Sequence, residues 1–201
     1  MTMTVIVSLI FVVAGTGTYV RHIVAKNPVL PKDNVYTHVM LWDDEKCKEL
    51  VGPSFDRITS HNQKRVGAYK ADLCRLFVLY KYGGVYTDDD IWLLKEPPVS
   101  NTSIIVVKES TAFKPEGFYF NAFISVPRKR HPGILNAIRL SLKTINNITR
   151  DFSDGSRLWG PWVLFTALQN YKPIELQETC KRTPCDCFVK DLLWSHRPCA
   201  Y

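Results

Sequence analysis

Three consecutive aspartates, Asp88-Asp89-Asp90, have the clearest chemical potential in this sequence. The residues on both sides are apolar and typical of strands, and in an open α/β sheet ligands bind at the carboxyl ends of strands. Carboxylates drawn this close to a core are costly unless a cation balances them. Alternate aspartates on a short loop supply the hard oxygen ligands that Mg²⁺ and Mn²⁺ take, and they leave other positions for water and phosphate. We therefore predict a metal site here rather than a solvated acidic turn, the ordinary interpretation of a charge run.

Asp72 and Arg75 precede the aspartates on a predicted helix, residues 69–82, that is apolar on most sides. A spacing of three places both side chains on one face of that helix. One interpretation is an intrahelical ion pair worth roughly a few tenths of a kcal/mol. The other is a ligand site, in which Arg75 binds an anionic donor and Asp72 a sugar or ribose hydroxyl. The spacing alone leaves both open.

The composition suits one folded domain, residues 1–201, since 46% of the residues are hydrophobic and 22% charged. The net charge of +7 suits an anionic partner such as a nucleotide diphosphate, an acidic glycan or a nucleic acid. The one dense basic run, residues 127–131, is typical of a solvated turn beside a proline, so we expect no nucleic-acid partner. Cys47 and Cys74 lie in apolar helical patterns and are interpreted as small core residues. Four further cysteines near the C-terminus match no paired zinc pattern, which leaves a disulfide or a metal knot open.

The uncharged N-terminal segment, residues 4–20, has two interpretations. Its strongly apolar part, residues 5–13, is β-branched and far shorter than the roughly 20 residues of a membrane helix. No basic region precedes it. We therefore interpret residues 4–13 as the first core strand of a soluble, cytoplasmic protein with no stable membrane span. As a signal anchor, residues 4–20 would instead place the protein in the Golgi membrane.

Apolar segments alternate between strand-like and helix-like periods, which predicts an α/β fold with helices flanking a mixed, mostly parallel central sheet. Strands are predicted at residues 35–42, 85–87, 91–94, 104–107 and 118–126. Helices are predicted at residues 19–26, 43–51, 69–82, 134–145 and 158–170. A glycine pair at residues 83–84 ends the longest of these helices.

The segments around the predicted helix carry a resemblance to a known family. Residues 71–76, Ala-Asp-Leu-Cys-Arg-Leu, and residues 83–90, Gly-Gly-Val-Tyr-Thr-Asp-Asp-Asp, resemble the core motif of glycosyltransferases that contain an Asp-x-Asp motif. The nearest set is family 32, which includes mannosyl-, galactosyl- and capsular-polysaccharide transferases. Weaker matches lie at residues 39–45, at Asn121 with His131-Pro132, and at Gly160-Pro161, so the resemblance spans about residues 27–170. The compactness is similar to that of the capsid glycosyltransferase domains of large algal viruses.

The resemblance implies a single GT-A (Rossmann-like) domain that transfers a hexose or deoxyhexose from a nucleotide-diphosphate sugar to a glycan or glycoprotein. A UDP-sugar is the favoured donor, and retention at the anomeric carbon is implied. The implied ligands of Mn²⁺ or Mg²⁺ are Asp88, Asp90 and His196, although the closing segment of the family is poorly matched around His196. The implied donor-binding residues are Asp72, Arg75, Tyr86, Asp88, Asn121 and Gly160. The implied catalytic residues are Asp72, Arg75 and Asp90.

Two other functions compete with sugar transfer. Asp-x-Asp also opens the loop of aspartyl phosphatases, which would make the chain a metal-dependent phosphohydrolase. Those loops continue to Thr or Val four residues after the first Asp, where this chain has Trp92. A non-catalytic glycan- or nucleotide-binding module would keep the aromatic residues without needing the acidic loop. We therefore predict a glycosyltransferase, with these two functions as alternatives.

Overall fold

The computed structural model describes residues 19–30, 38–58, 66–93, 96, 98–109, 118–146, 160–180, 187–189 and 194–196. The strands within them are β1 Arg21–Val24, β2 Val39–Trp42, β3 Gly84–Thr87, β4 Ile91–Leu93, β5 Ile105–Lys108, β6 Tyr119–Val126, β7 Ile174–Cys180, β8 Cys187–Val189 and β9 Trp194–His196. The helices are α1 Asp44–Val51, α2 Pro53–Arg57, α3 Val66–Tyr82, α4 Pro132–Asn146 and α5 Pro161–Leu168, which a 3₁₀ turn, Gln169–Tyr171, follows.

The central sheet has the strand order β2-β1-β3-β6-β5-β7 and continues through β8 and β9 to β4. Its parallel pairs are β1 with β2, β1 with β3, and β5 with β7, whereas β6 runs antiparallel to both β3 and β5. The predicted mixed α/β sheet is confirmed, but its parallel part is smaller than predicted. The reason is that the short connection between β5 and β6 reverses the chain, while a parallel neighbour needs a longer crossover.

The described helices pack on one face of this sheet. Their buried side chains join one core cluster with those of alternate strand positions, such as Tyr86, Val106 and Ile124. The opposite face, which includes Val85, is covered by Leu93 of β4 and Val189 of β8. Within the described residues, the helices expected on both faces therefore lie on one, because β4, β8 and β9 cover the other face; the sequence analysis did not predict β8 and β9.

Strand β1 corrects the prediction of a helix at residues 19–26. All four of its residues are buried, as is typical of a strand covered on both faces of a sheet. The sequence pattern did not indicate a buried strand here, because Arg21 and His22 are polar residues, although both are fully buried. The His22 ring is satisfied in its neutral form, because its Nδ1 accepts from Trp42 Nε1–H at 3.3 Å and its Nε2–H donates to the Gly83 carbonyl at 3.0 Å. Burial lowers the pKa of His22 to about 4, although the bond to Gly83 opposes this shift.

The predicted strand at residues 4–13 lies outside the described residues. The position between β2 and β3 in the sheet is taken by β1. None of the helices in the part of the chain that the structure describes has the length and apolarity to cross a membrane.

Helices α1 and α3 are joined by a disulfide between Cys47 and Cys74. Both residues are buried, as predicted, but their interpretation as separate small core residues is wrong. The packing of α1 against α3 brings their Cα atoms to 5.5 Å, which is within the range that a disulfide requires. The spacing along the sequence gave no indication of this pairing.

Candidate active site

The three aspartates form a tight turn at the carboxyl end of β3. The Asp88 carbonyl accepts from the Ile91 N–H at 3.3 Å, and the Asp88 N–H donates to the Ala122 carbonyl of β6 at 3.0 Å. The side chain of Asp88 is 33% exposed, and Asp89 and Asp90 are exposed. The acidic loop predicted from the sequence is therefore a hydrogen-bonded turn whose side chains reach solvent beside the core.

Helix α3 ends at two glycines that turn the chain directly into β3. Gly83 and Gly84 have φ of 69° and 89°, and a Cβ on Gly84 would lie 2.5 Å from the Val20 carbonyl oxygen, which favours glycine there. Arg75 lies about 12 Å before this turn, at about 1.5 Å per helical residue. Strand β3 then advances about 13 Å in the opposite direction. Arg75 and Asp88 therefore lie at similar heights along the helix and the strand. This proximity can be predicted from the spacing of the two residues in the sequence.

Arg75 joins the helix to the acidic loop. Its Nη2 pairs with Asp72 Oδ1 at 2.9 Å, and its Nη1 pairs with Asp88 Oδ1 at 3.2 Å. Nη1 also donates to the Asn121 carbonyl at 2.6 Å, and Nε donates to the Ala71 carbonyl at 3.3 Å. The side chain is only 6% exposed. The predicted ion pair with Asp72 is present, and Arg75 also reaches Asp88, whereas the ligand site stays a prediction.

Asp72 is the most strongly perturbed carboxylate at this site. Its side chain is 14% exposed, and its Oδ1 also accepts from Asn121 Nδ2 at 2.7 Å. Burial raises the pKa of Asp72 to about 6; the charge of Asp88 adds to the shift, and Arg75 and Asn121 oppose it. For Arg75, burial acts to lower the pKa, but the nearby acids, Asp88 first, outweigh burial and raise it. Arg75 is therefore permanently charged, whereas the pKa of Asp72 lies above its usual range.

Tyr86 supports Arg75 and Asp88 from within the core. Its ring is fully buried, and the Arg75 Cζ lies 4.5 Å from the ring centroid. Its hydroxyl donates to Asp88 Oδ1. Burial raises the pKa of Tyr86 well above its usual value, so the hydroxyl keeps its proton. One oxygen of Asp88 is thus held by both Arg75 and Tyr86, which fixes the orientation of the carboxylate.

Gly160 packs directly on the Asp72–Asn121 hydrogen bond. It has φ of 55°, and a Cβ there would lie 2.2 Å from Asn121 Nδ2 and 2.8 Å from Asp72 Oδ2. The start of α5 therefore approaches the Asp72–Asn121 hydrogen bond so closely that a side chain at position 160 would clash with it. This accounts for a glycine at position 160.

Asp90 and the backbone of His196 lie next to Ile91, where the acidic loop ends. The charge of Asp90 contributes to the raised pKa of Arg75, so Asp90 belongs to the same electrostatic cluster. Strand β9 pairs with β4 so that the backbone of His196 lies opposite Ile91, the residue after Asp90. The side chain of His196 lies outside the described part of the structure, and its role as a third metal ligand stays a prediction.

Among the described residues, no three His, Cys, Asp or Glu side chains are grouped to hold a metal ion. Mg²⁺ needs fewer protein ligands, since it is commonly held by one or two carboxylates together with water and substrate phosphates. Asp88 and Asp90 fit such a site, because both reach solvent and Asp88 is oriented by Arg75 and Tyr86. Asp88 and Asp90 stay the predicted metal ligands.

The sequence analysis did not single out two polar residues that adjoin the acidic loop from the opposite face of the sheet. Arg21 and Thr87 are fully buried and hydrogen-bonded to each other. Thr87 could have been found, because it is the residue before Asp88 on a buried strand. Arg21 could not, since the strand that carries it was predicted as a helix.

Comparison with known proteins finds similarity between this region and glycosyltransferases. Residues 20–110 match the family model described as a glycosyltransferase sugar-binding region containing a DXD motif. The chain is 36% identical over 53 residues to inositol phosphoceramide mannosyltransferase 3 of Schizosaccharomyces pombe, covering 26% of this chain and 15% of that protein. It is 30% identical over 111 residues to inositol phosphoceramide mannosyltransferase 1 of the same organism, covering 54% of this chain and 33% of that protein. The chain thus spans a third or less of the length of these relatives.

A solved structure shares the fold. The PaToxG glycosyltransferase superposes with a TM-score of 0.54 at 21% identity, covering 76% of this chain and 69% of that one. The family match covers β1 to β5, and so it includes α3, the glycine pair and the acidic loop. Residues 20–110 are thus similar to the sugar-binding region of DXD-containing glycosyltransferases, and the chain shares a GT-A-like fold with a solved glycosyltransferase.

Proposed function

We propose that this protein is a metal-dependent glycosyltransferase that moves a hexose or deoxyhexose from a nucleotide-diphosphate sugar to a glycan or glycoprotein. The observation that carries the proposal is the junction of Asp88 with Arg75 and Asp72 at the carboxyl end of β3. The relatives are named as mannosyltransferases, which makes mannose the first sugar to test. A UDP-sugar is the proposed donor, and a GDP-sugar belongs in the same screen.

The proposed roles follow from the contacts. Asp88 and Asp90, with His196 as a proposed third ligand, would hold a divalent cation, which would supply positive charge that stabilises the leaving diphosphate. The Arg75 guanidinium already contacts four oxygen atoms of the protein, so we infer that it orients Asp72 and Asp88 and supplies positive charge. Asp72 would accept from a sugar or ribose hydroxyl beside Gly160.

The proposed stereochemical outcome is retention. The described site offers no dedicated nucleophile aligned by a base, so attack by the acceptor hydroxyl on the face of the leaving phosphate is the proposed route. Proton NMR of the first product formed would show the donor's anomeric configuration. An inverted product would overturn this part of the proposal without affecting the donor site.

The experiment that tests the function is a screen of UDP- and GDP-sugars for sugar release with and without Mn²⁺. Asp90→Asn is expected to lower the rate by at least about 100-fold, because it removes a charge that the transition state needs. Asp89→Asn is the matched control: it makes the same chemical change in the same turn and should keep activity within about threefold. Loss of activity in both variants alike would contradict the assignment of Asp90 as a ligand.

The screen also separates the alternatives. Turnover of simple phosphomonoesters, with no release of sugar, would favour the phosphohydrolase. Binding of a nucleotide sugar without turnover in any metal would favour the non-catalytic module. Capsid proteins of large algal viruses are among the glycoprotein acceptors to test, because the compactness of the domain is similar to that of the capsid glycosyltransferase domains of those viruses.

We propose that the chain folds in an oxidising compartment, and not in the cytoplasm as first expected. Reduced thiols are maintained in the cytosol, whereas the Cys47–Cys74 disulfide supports a secretory route. Asn101, in an Asn-Thr-Ser acceptor triplet, is exposed on an irregular segment and available for glycosylation there. Non-reducing mass spectrometry of the protein from its native cells should find the linked peptides. Alkylated free thiols at both cysteines would refute the proposal.

A further inference from the structure

Arg21 reaches the acidic loop from the side opposite to Arg75. It is the first residue of β1, and its register partner on β3 is Val85, whose side chain lies on the face away from the helices. Tyr86, which contacts Arg75, lies on the helical face. The two arginines therefore approach the same loop from opposite faces of one strand.

The Arg21 side chain contacts both ends of the loop. Its Nε donates to Thr87 Oγ1 at 2.8 Å, and its Nη2 donates to the Ile91 carbonyl at 3.0 Å. Thr87 directly precedes Asp88, and Ile91 directly follows Asp90. One rigid guanidinium thus spans the base of the turn that presents the two predicted metal ligands.

A buried cation is costly unless partners offset its charge and satisfy its hydrogen-bond donors. Arginine holds its N–H donors in a fixed planar fork, whereas lysine is a flexible point charge that cannot reproduce two divergent contacts. The guanidinium therefore ties the two ends of the loop together, in addition to the backbone hydrogen bond between Ile91 and Asp88. Asp88 and Asp90 lie between those ends, so a change at the guanidinium would act on their separation.

We propose that Arg21 is a positioning residue that, with Thr87, fixes the spacing of Asp88 and Asp90 for a divalent cation and the diphosphate it binds. This inference rests on the proposed function, since it assigns a supporting residue to the same site. It goes beyond that function because the family resemblance assigns no role to either residue. Removal of partners that orient metal ligands typically weakens metal affinity by about 10- to 100-fold.

Mn²⁺ affinity measured without turnover tests the proposal. Electron paramagnetic resonance can follow the titration of free Mn²⁺ in the presence of UDP and, in parallel, GDP. Thr87→Val removes the hydroxyl and keeps the shape, and Thr87→Ser keeps the hydroxyl. We expect Thr87→Val to weaken Mn²⁺ binding by about tenfold and Thr87→Ser to bind nearly as the wild type does. Equal weakening in both variants would show a packing effect and overturn the proposal.

Arg21→Lys is the second variant, because it keeps the charge and loses the fork. It should weaken Mn²⁺ binding by about 10- to 100-fold and raise the KM for the donor more than it lowers kcat. Thermal melts identify any variant that fails to fold, in which case the Thr87 pair decides. Wild-type affinity in folded Arg21→Lys and in Thr87→Val would overturn the inference and leave the proposed function intact. A wild-type protein that binds no Mn²⁺ with either nucleotide would instead overturn the proposed function.

Discussion

Gly160→Ala offers the sharpest test of the arrangement around Asp72. An added Cβ would lie 2.2 Å from Asn121 Nδ2 and 2.8 Å from Asp72 Oδ2, whereas ordinary contacts begin near 3.4 Å. The Asn121 amide would therefore have to move by about 1 Å, which breaks its 2.7 Å hydrogen bond to Asp72. A displacement of that size at a reacting centre costs roughly 100-fold in rate. We expect kcat/KM for sugar release to fall by about that factor.

Two other glycines separate this effect from its side effects. Gly52 has φ of 74° with nothing within 4 Å of its Cβ position, so Gly52→Ala brings backbone strain without a clash. Gly67 lies in α3, also with nothing within 4 Å, so Gly67→Ala should stabilise the helix by up to about 1 kcal/mol. Alanine at position 52 or 160 would have a strained backbone conformation. This strain should lower the free energy of unfolding of each variant by about 1–3 kcal/mol. Only Gly160→Ala is expected to lose activity.

The assay combines urea unfolding with steady-state release of sugar from the donor that the screen identifies. The side-chain NH₂ resonances of Asn121 give a direct readout, since they should shift when the bond to Asp72 breaks. If Gly160→Ala lost stability in step with Gly52→Ala and kept its full kcat/KM, the Asp72–Asn121 pair would have no place in the donor site.

Three further predictions concern the core and the loop. Replacing Cys47 and Cys74 by alanine should lower the free energy of unfolding by about 3.5 kcal/mol, from the chain entropy of a loop that joins residues 27 apart; a urea midpoint equal to that of the oxidised wild type would contradict this. Between pH 6.5 and about 4 the His22 ring binds more protons in the unfolded chain than in the folded one, so the free energy of unfolding should fall by about 3 kcal/mol in total as the pH falls through that window. Urea unfolding at a series of pH values should show that His22→Gln lacks this pH-dependent loss. Tyr86→Phe should weaken Mn²⁺ binding by about tenfold, since the hydrogen bond to the charged Asp88 is lost while the ring remains under the guanidinium; unchanged Mn²⁺ affinity in the same titration would remove Tyr86 from the site.

Much of the site could be predicted because its information is local in the sequence. The helix, the glycine pair and the acidic triplet follow one another within about 20 residues, and helix and strand have nearly equal axial lengths on either side of Gly83. Arg75 and Asp88 must therefore meet wherever the unit folds. The structure confirms the helix as α3 and the strand as β3. Asn121 and Gly160 came only from motif resemblance, since residues so distant in sequence meet through packing that periodicity does not encode.

The errors have one physical source, which is tertiary context overriding a local pattern. Arg21 and His22 look like polar residues of an amphipathic helix, yet β1 buries both because every ring nitrogen of His22 and the Arg21 fork find partners on other elements. Cys47 and Cys74 were correctly expected to be buried, but their pairing depends on how α1 packs on α3. Strands β8 and β9 have three residues each, and their alternation is too brief to distinguish them from loops.

The charged network around Arg75 is better explained by function than by stability. Breaking a buried ion pair costs several kcal/mol, but replacing all its members by apolar residues is often neutral or stabilising, so such a network is weak evidence of stabilisation. Here burial already raises the pKa of Asp72 to about 6, which means that the fold holds this carboxylate at an energetic disadvantage. Arg75 and Asn121 limit that disadvantage without removing it. The proposed binding of sugar hydroxyls and a metal-bound diphosphate would need oriented, poorly solvated acids, and this arrangement supplies them.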